Sequence, residues 1–478
     1  MNKNKIISGL FWKFAERIGA QGVNLIVSII LARILAPEDY GLVALTTIFI
    51  TISNVFIDKG FDTALIQKKD ADDLDFSSVF YCNIIISIIM YILIFLLAPI
   101  IAGFYNNSEL TVILRVLGIS VLIAGVKSIQ QVYVAKNMLF KKFFISTSIG
   151  TIISAIAGIW MAYNGFGVWA LVTQQLTNII IDTIILWIIV KWRPRFKFSF
   201  ERLKLLFKFG WKMLSSGLID VFYTELYGLT IGKFYSTTQL AYYNKANQFP
   251  KLIMINVDGS ISTVMLPALS NEQESKENIK KIVKRSIKTS LFFLVPMMFG
   301  LAAISETLIK VLLTDKWLPA VPLMQLLCFS YALWPIHTIN LQAISALGRS
   351  DIFLKLEIVK KVVGLIFLVI SIPMGVKVMV SMQLLVSIVS AFINMYPNKK
   401  LIDYSITEQL KDLLPYFLIS IIMYIIVCSF NLITMNSIIK IIIQILIGIC
   451  IYFGYQVVFK NEELGYLVNG LKNKREKK

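Results

Sequence analysis

Apolar runs long enough to cross a bilayer, about 20 residues each, alternate with short polar breaks from one end of this chain to the other. The runs are continuous and do not alternate with a period of two, which predicts spanning helices and not a β-barrel. Fourteen spans are predicted, at 8–35, 40–66, 76–103, 110–136, 142–163, 166–191, 205–234, 239–268, 286–306, 318–346, 352–373, 375–396, 412–432 and 437–459. Those at 239–268 and 318–346 hold several polar residues and prolines. The first run carries Glu16, Arg17, Gln21 and Asn24 and stops at Ala36-Pro37. On a helix Arg17, Gln21, Asn24 and Ser28 share one face. A charge at the bilayer centre costs about 2.5–3.5 kcal/mol, so that stripe is expected to face protein or a watery cavity.

An even number of spans puts both ends of the chain on one side. That side receives Lys3, Lys5, Lys68, Lys69, Lys141, Lys142, the 191–204 cluster, the 276–285 cluster, Arg349, Lys399, Lys400 and the final KNKREKK. The opposite side receives few basic residues, chiefly Arg33, Lys233, Lys310, Lys316, Lys377 and Lys440. The asymmetry predicts cytoplasmic termini, and it accounts for the net charge of +19 without a nucleic-acid partner. The basic-then-apolar start lacks a small-residue cleavage site, so it is expected to be retained. With 57% hydrophobic residues the chain exceeds the apolar share of soluble domains, about 45–50%. Cys82, Cys328, Cys428 and Cys450 lie scattered in apolar runs and His337 is the single histidine. Neither a disulfide frame nor a metal site is expected.

The pattern repeats after about half the chain. Trp12-Lys13, a polar stripe and a helix end recur from Trp211-Lys212 onward, with Glu16, Arg17, Gln21, Asn24 and Ser28 opposite Ser215, Ser216, Asp220, Tyr223 and Tyr227. A second echo pairs 142–175, containing Gly165-Phe166-Gly167-Val168, with 350–383, containing Pro373-Met374-Gly375-Val376. Both copies begin on the same side, a parallel repeat about the membrane normal. The expected architecture is all-α: an N-lobe of six helices at 1–191, a basic linker at 192–204 and a C-lobe of six helices at 205–396. Two further helices follow at 397–459, then a basic tail at 460–478. The linker WRPRFKFSFERLKLLFKF interleaves apolar and basic residues like an interfacial helix, and 278–290 sets Ile279, Ile282, Val283 and Ile287 against lysines in the same way.

Ionisable groups inside apolar runs are the candidates for function. Arg17, Lys127, Lys245 and Lys251 suit a cationic cavity between two lobes, matched to an anion such as a phosphate group. Asp220, Glu225 and Asp258 suit a coupling cation, or simply neutralise those bases. Tyr223, Tyr227, Tyr242 and Tyr243 offer rings to sugars. Each has a plainer role open to it: Glu16 and Arg17 can snorkel, and Arg115, Asp182 and Glu357 can be near-interface groups or structural ion pairs. His337, after Trp334-Pro335, is either a proton-responsive switch or packing around a proline kink. The cluster Asp70, Asp72, Asp73 and Asp75 reads as a solvated loop with a helix cap, with metal or partner contact as the alternative. No Walker, GxGxxG, GxSxG or HExxH motif is present, so an enzyme is not expected.

The opening FWKFAERIGAQGVNLIVSIILARILAPEDYGLVAL, with FIDKGFDTALIQKKD after it, resembles bacterial polysaccharide flippases of the Wzx type, in the branch of teichuronic-acid and colanic-acid exporters. The likeness runs through the linker, the repeat and the last two spans. It implies a transporter of the multidrug, oligosaccharidyl-lipid and polysaccharide exporter superfamily, two lobes alternately open to either side of the bacterial cytoplasmic membrane. The implied cargo is an undecaprenyl-pyrophosphate-linked oligosaccharide repeat unit for surface polysaccharide or lipopolysaccharide synthesis, with flipping coupled to an ion gradient. Arg17 is similar in position to a cavity arginine of related lipid flippases. On this reading Arg17, Lys127 and Lys245 or Lys251 hold the pyrophosphate, with Gln21, Asn24 and Tyr223 also lining the cavity. Protonation or Na⁺ binding at Asp220, Glu225 or Asp258, with Glu16 grouped beside them, would bias the two states. No other cofactor is implied; the partners are the lipid-linked oligosaccharide, membrane lipid and, among proteins, a polysaccharide polymerase and other assembly factors. Two alternatives stand: a cation-coupled drug or metabolite antiporter of the same superfamily, and a membrane polysaccharide polymerase.

Overall fold

The structure is a computed structural model that describes residues 3–272, 275–459 and 463–465, all of them helix or connecting turn, with no strand among the described residues. The helices run in chain order: α1 Lys3–Ile34, α2 Pro37–Ile57, α3 Thr63–Gln67, α4 Asp73–Phe104, α5 Glu109–Lys136, α6 Phe140–Tyr163, α7 Val168–Ile189, α8 Phe200–Phe234 and α9 Thr237–Asn271. Then come α10 Lys276–Leu313, α11 Val321–Ala332, α12 Trp334–Ala346, α13 Ser350–Ser371, α14 Val376–Met395, α15 Asn398–Ile402, α16 Ile406–Ser429 and α17 Ser437–Val458. Each of the fourteen predicted spans lies on one of these helices or on a pair of them. Two are interrupted. The second passes through a π-helical turn, Asp58–Asp62, between α2 and α3, and the tenth breaks at Leu333, with Pro335 in the first turn of α12. Proline removes an N–H and so opens the helix one turn earlier.

Internal contacts divide the chain into Met1–Ala241 and Tyr242–Lys478. In the first unit α6 packs on α7 and α1, α4 on α5, and α8 lies along α2 and the π-turn. Water does not drive helices together inside lipid; close packing does, and small residues permit it. A Cβ on Gly210 of α8 would sit 1.8 Å from the Gly60 carbonyl oxygen, and one on Gly41 of α2 would sit 1.9 Å from that of Thr237. Backbone therefore meets backbone at both points. In the second unit α10 runs through the centre, packed on α11, α12, α16 and α17, and α14 packs on α11, α12 and α13. Isoleucines such as Ile156, Ile188, Ile425 and Ile438 point outward and exposed, the surface that lipid tails cover.

The paired turns of the second sequence echo share one feature. Gly167 and Gly375 both take positive φ, +52° and +98°, immediately before α7 and α14. A left-handed residue there reverses the chain in one step, and glycine does so without a Cβ clash.

The 191–208 stretch does not form one interfacial helix. Residues 190–199 are non-helical and α8 starts at Phe200, because Arg193-Pro194 interrupts any helix and Ser199 caps α8 by accepting from the Arg202 N–H. The 278–290 stretch is likewise not a surface helix but the first turns of α10, with Ile279, Val283 and Ile287 fully buried. Its lysines meet acids of α16: Lys280 reaches Glu408 at 2.7 Å and Lys284 reaches Asp412 at 3.1 Å.

Candidate functional site

Ten helical stretches among the described residues are apolar enough over sufficient length to cross a membrane, which makes this a multi-pass membrane protein. The four predicted spans outside that set correspond to α1, α8, α9 and α13. Polar and charged residues interrupt their apolar runs, and three of them carry nearly every predicted site residue. On α1 are Glu16, Arg17, Gln21 and Asn24; on α8 Asp220, Tyr223 and Glu225; on α9 Lys245, Lys251 and Asp258. Helices that lipid alone would not accept need a polar environment along one side.

In the first unit the side chain of Arg17 lies outside the described residues. Gln21, Glu16, Tyr223 and Glu225 are half-buried, and Asn24 and Asp220 are exposed. Lys127 is engaged: its Nζ lies 2.6 Å from Oδ2 of Asp182 on α7, with side-chain exposures of 15% and 8%. The approach is possible because α6 offers Gly150 there; a Cβ at that position would come within 3.1 Å of Asp182. The candidate cavity base Lys127 and the candidate ion-pair acid Asp182 are thus joined in one arrangement, a lysine held by an acid. Asp182 Oδ1 has no hydrogen-bond partner, so the pair has an acceptor to spare.

In the second unit Lys245 is buried, 5% exposed, with its Nζ 5.8 Å from the centre of the Trp317 ring and 3.3 Å from Gln248 Oε1. Lys251 is exposed. Asp258 accepts a 2.7 Å hydrogen bond from the Thr338 hydroxyl of α12, just past the break at Leu333. Tyr331 donates to Asn247 Oδ1 at 2.8 Å. His337 lies between Ser387 Oγ at 3.1 Å from Nε2 and Asn394 Nδ2 at 3.3 Å from Nδ1. With the Asn394 amide donating to Nδ1, the ring is the neutral Nε2–H tautomer, which suits packing beside the kink. Asn340, Asn398 and Gln409, all fully buried, continue the polar core through Asn398–Asn340 and Asn340–Gln409 bonds of 2.6 and 3.1 Å. The structure therefore gathers Lys127 with Asp182 in one unit and Lys245 with Trp317 in the other.

The acidic cluster before α4 has a use. Asp72 caps α4, accepting from the Asp75 N–H at 3.0 Å while Asp75 accepts from the Asp72 N–H. That backbone bond, and then the Arg202 and Lys68 charges, hold the Asp72 carboxyl below the usual carboxylate range. Asp73 pairs with Arg195 at 2.6 Å, and buried Asp75 pairs with Lys68 at 2.6 Å and Arg202 at 3.2 Å. Ser77 and Ser78 accept from the N–H groups of Arg195 and Ser199. The cluster docks the linker, and among the described residues no group of acids, cysteines and His337 is arranged for a metal ion.

Two features went unread in the sequence. One is Asp58 and Asp62 of the π-turn with buried Asn83, whose only signal was acids inside an apolar run. The other is an apolar groove of about 400 Å³ among α10, α16 and α17, lined by Phe292, Pro296, Gly300, Met423, Gly448 and Tyr452, with Gln444 as a polar neighbour. Its lining comes from helices far apart in the chain, so no local pattern marks it.

Known proteins bear on this arrangement. The chain is 24% identical over 353 residues to teichuronic acid biosynthesis protein TuaB of Bacillus subtilis, 73% of this chain and 72% of that one. It is 24% identical over 330 residues to succinoglycan biosynthesis transport protein ExoT of Rhizobium meliloti, 69% of this chain and 67% of that one. In fold it matches lipid II flippase MurJ in an inward closed conformation, with a TM-score of 0.78 at 17% identity, over 95% of this chain and all of that one. The family model described as polysaccharide biosynthesis protein matches residues 30–322, more than half of the chain. By that match the chain belongs to the polysaccharide biosynthesis protein family.

Proposed function

We propose that this protein flips a lipid-linked oligosaccharide, a repeat unit on undecaprenyl pyrophosphate, across the bacterial cytoplasmic membrane for surface polysaccharide synthesis. The observation that carries this reading is the coexistence, in one chain, of polar spanning helices and an apolar groove. A polyprenyl tail needs an apolar bed and offers no hydrogen bonds, which suits the groove of α10, α16 and α17. Sugars and a pyrophosphate need donors and cations, which suits α1, α8 and α9, with Arg17, Lys127, Lys245 and Lys251 as candidate phosphate ligands. The names of the relatives, a teichuronic acid protein and a succinoglycan transport protein, and the fold shared with a lipid II flippase, support the same cargo class.

The multidrug antiporter reading is weaker. A multidrug transporter of the MOP superfamily in an inward-facing state matches this fold at a TM-score of 0.61 over 82% of the chain, less on both counts than the lipid flippase. We further propose cytoplasmic termini, from the basic-residue asymmetry, and coupling to H⁺ or Na⁺, which Asp258, Glu225, Asp220 or Glu16 can serve. A polymerase acting on the delivered units is the expected protein partner.

Deletion of the gene, followed by analysis of lipid-linked intermediates and surface polymer, tests the proposal. A complete lipid-linked unit trapped on the cytoplasmic face, with surface polymer lost, is expected. Single units on the outer face, or unchanged polysaccharide with altered drug sensitivity, would overturn it. Arg17→Ala is expected to lower surface polymer at normal protein abundance; wild-type polymer would remove Arg17 from the candidate ligands.

A further inference from the structure

The α2–α3 junction is the one place among the described residues where a helix widens to a π-turn, at Asp58–Asp62. Such turns cost hydrogen-bond geometry and occur mostly where a site needs them. Here the extra residue swings Asp62 inward: its residue exposure is 7%, and its Oδ1 accepts from Asn83 Nδ2 of α4 at 2.9 Å. The same amide donates to Ser128 Oγ of α5, also at 2.9 Å. Asn83 is fully buried, and its own Oδ1 has no partner. Two oxygens, a carboxylate and a hydroxyl, thus accept from one amide whose own carbonyl oxygen is unpartnered.

The charges around the turn do not balance Asp62 directly. Asp58, one turn earlier, adds a like charge beside it. Lys59, the next residue, and then Lys127 of α5 are the bases that act on Asp58, and Lys127 is already held by Asp182 of α7 at 2.6 Å. Lys59, Lys208 and Lys212 are exposed, and Lys136 is bonded to the carbonyl oxygens of Leu65 and Lys68. A buried carboxylate with a neutral amide for its hydrogen bond and another acid for a neighbour is a place where one positive charge is well received.

We propose that Asp62, Asn83 and Ser128 form a monovalent-cation site in the first unit, occupied by Na⁺ or by a proton. With Na⁺, the Asn83 amide turns so that its Oδ1 joins the Asp62 carboxylate and the Ser128 hydroxyl as ligands. With a proton, the same amide turn lets Oδ1 accept from the Asp62 hydroxyl. Either way one amide rotation reports the charge state of the π-turn. The turn is in direct contact with α8, since the Gly60 carbonyl oxygen occupies the space where a Gly210 Cβ would be. A cation here therefore bears on the helix that carries Asp220, Tyr223 and Glu225. As the seat of a coupling ion this rests on the flippase reading; as a binding site it does not, and it is tested without cargo.

The test uses the full chain in lipid nanodiscs, with thermal unfolding followed in NaCl against choline chloride over pH 5.5–8.5, and hydrogen exchange read at 58–62. A saturable rise in unfolding temperature with Na⁺, lost in Asp62→Asn and weakened about ten- to a hundredfold in apparent affinity in Ser128→Ala, identifies Na⁺. No Na⁺ effect, but a pH-dependent protection of 58–62 that Asp62→Asn abolishes, identifies the proton. Identical Na⁺ and pH responses in wild type, Asp62→Asn and Ser128→Ala overturn the site. Should Asp62→Asn fail to fold, Ser128→Ala and Asn83→Leu carry the same comparison. Asp351→Asn, at an exposed acid paired with Arg349 in the second unit, serves as the control that keeps both responses. Loss of cargo flipping with the cation response intact would count against the flippase reading alone.

Discussion

The Lys127–Asp182 pair joins α5 to α7 at 2.6 Å, with 15% and 8% of the side chains exposed. Substituting one partner leaves the other as an uncompensated charge in a low-dielectric site, which costs about 3–5 kcal/mol. The residual exposure of Lys127 lets water reach it, so Asp182→Leu is expected near the lower end, about 3 kcal/mol. The pair is also incompletely satisfied, because Asp182 Oδ1 has no partner. Replacing both residues, Lys127→Met with Asp182→Leu, is therefore expected to restore wild-type stability or exceed it by about 1 kcal/mol. Unfolding by SDS titration in mixed micelles, run as a double-mutant cycle, measures both numbers. A double variant as unstable as the sum of the two singles would refute the reasoning, because the loss would then come from packing at each site and not from a stranded charge. The same double variant separates structure from transport. If it is stable and yet does not deliver repeat units, Lys127 contacts cargo; if it delivers them normally, Lys127 is a strut.

Gly210→Ala is expected to destabilise by about 1–3 kcal/mol or more through overpacking, since its Cβ would lie 1.8 Å from the Gly60 carbonyl oxygen, whereas Gly60→Ala meets nothing within 4 Å; equal unfolding midpoints for the two in SDS would disprove the backbone contact. Gly167→Ala and Gly375→Ala are both expected to cost about 1–2 kcal/mol, because each residue holds positive φ before a helix, and a loss at one with none at the other in the same unfolding assay would break the equivalence of the two turns.

The hydrophobic pattern alone determined that the chain spans a membrane as helices and where most of those helices lie. The reason is that in lipid every backbone group must be satisfied within its own segment, so an apolar run long enough to span is also a helix. Sequence also singled out the polar helices. Glu16 to Ser28, Asp220 to Tyr227 and Lys245 to Asp258 lie on α1, α8 and α9, because polarity in a spanning helix needs no tertiary information to be conspicuous. The recurrence of Gly167 and Gly375 was legible for a similar reason, as a turn is local chemistry.

What the charges do with one another was decided only by tertiary structure. Lys127 and Asp182 are far apart in the chain, and nothing in either neighbourhood says that Gly150 lets α6 and α7 close around them. The Asp72–Asp75 cluster looked solvated until Arg195 and Arg202, more than a hundred residues on, were found pinned to it. The basic linker looked helical because its apolar–basic rhythm suits an interfacial helix, yet Pro194 and those ion pairs hold it extended. Asp62 was hidden for the opposite reason. A π-turn redirects a side chain by one inserted residue, and no periodicity of 3.6 or 2 reveals where that insertion falls.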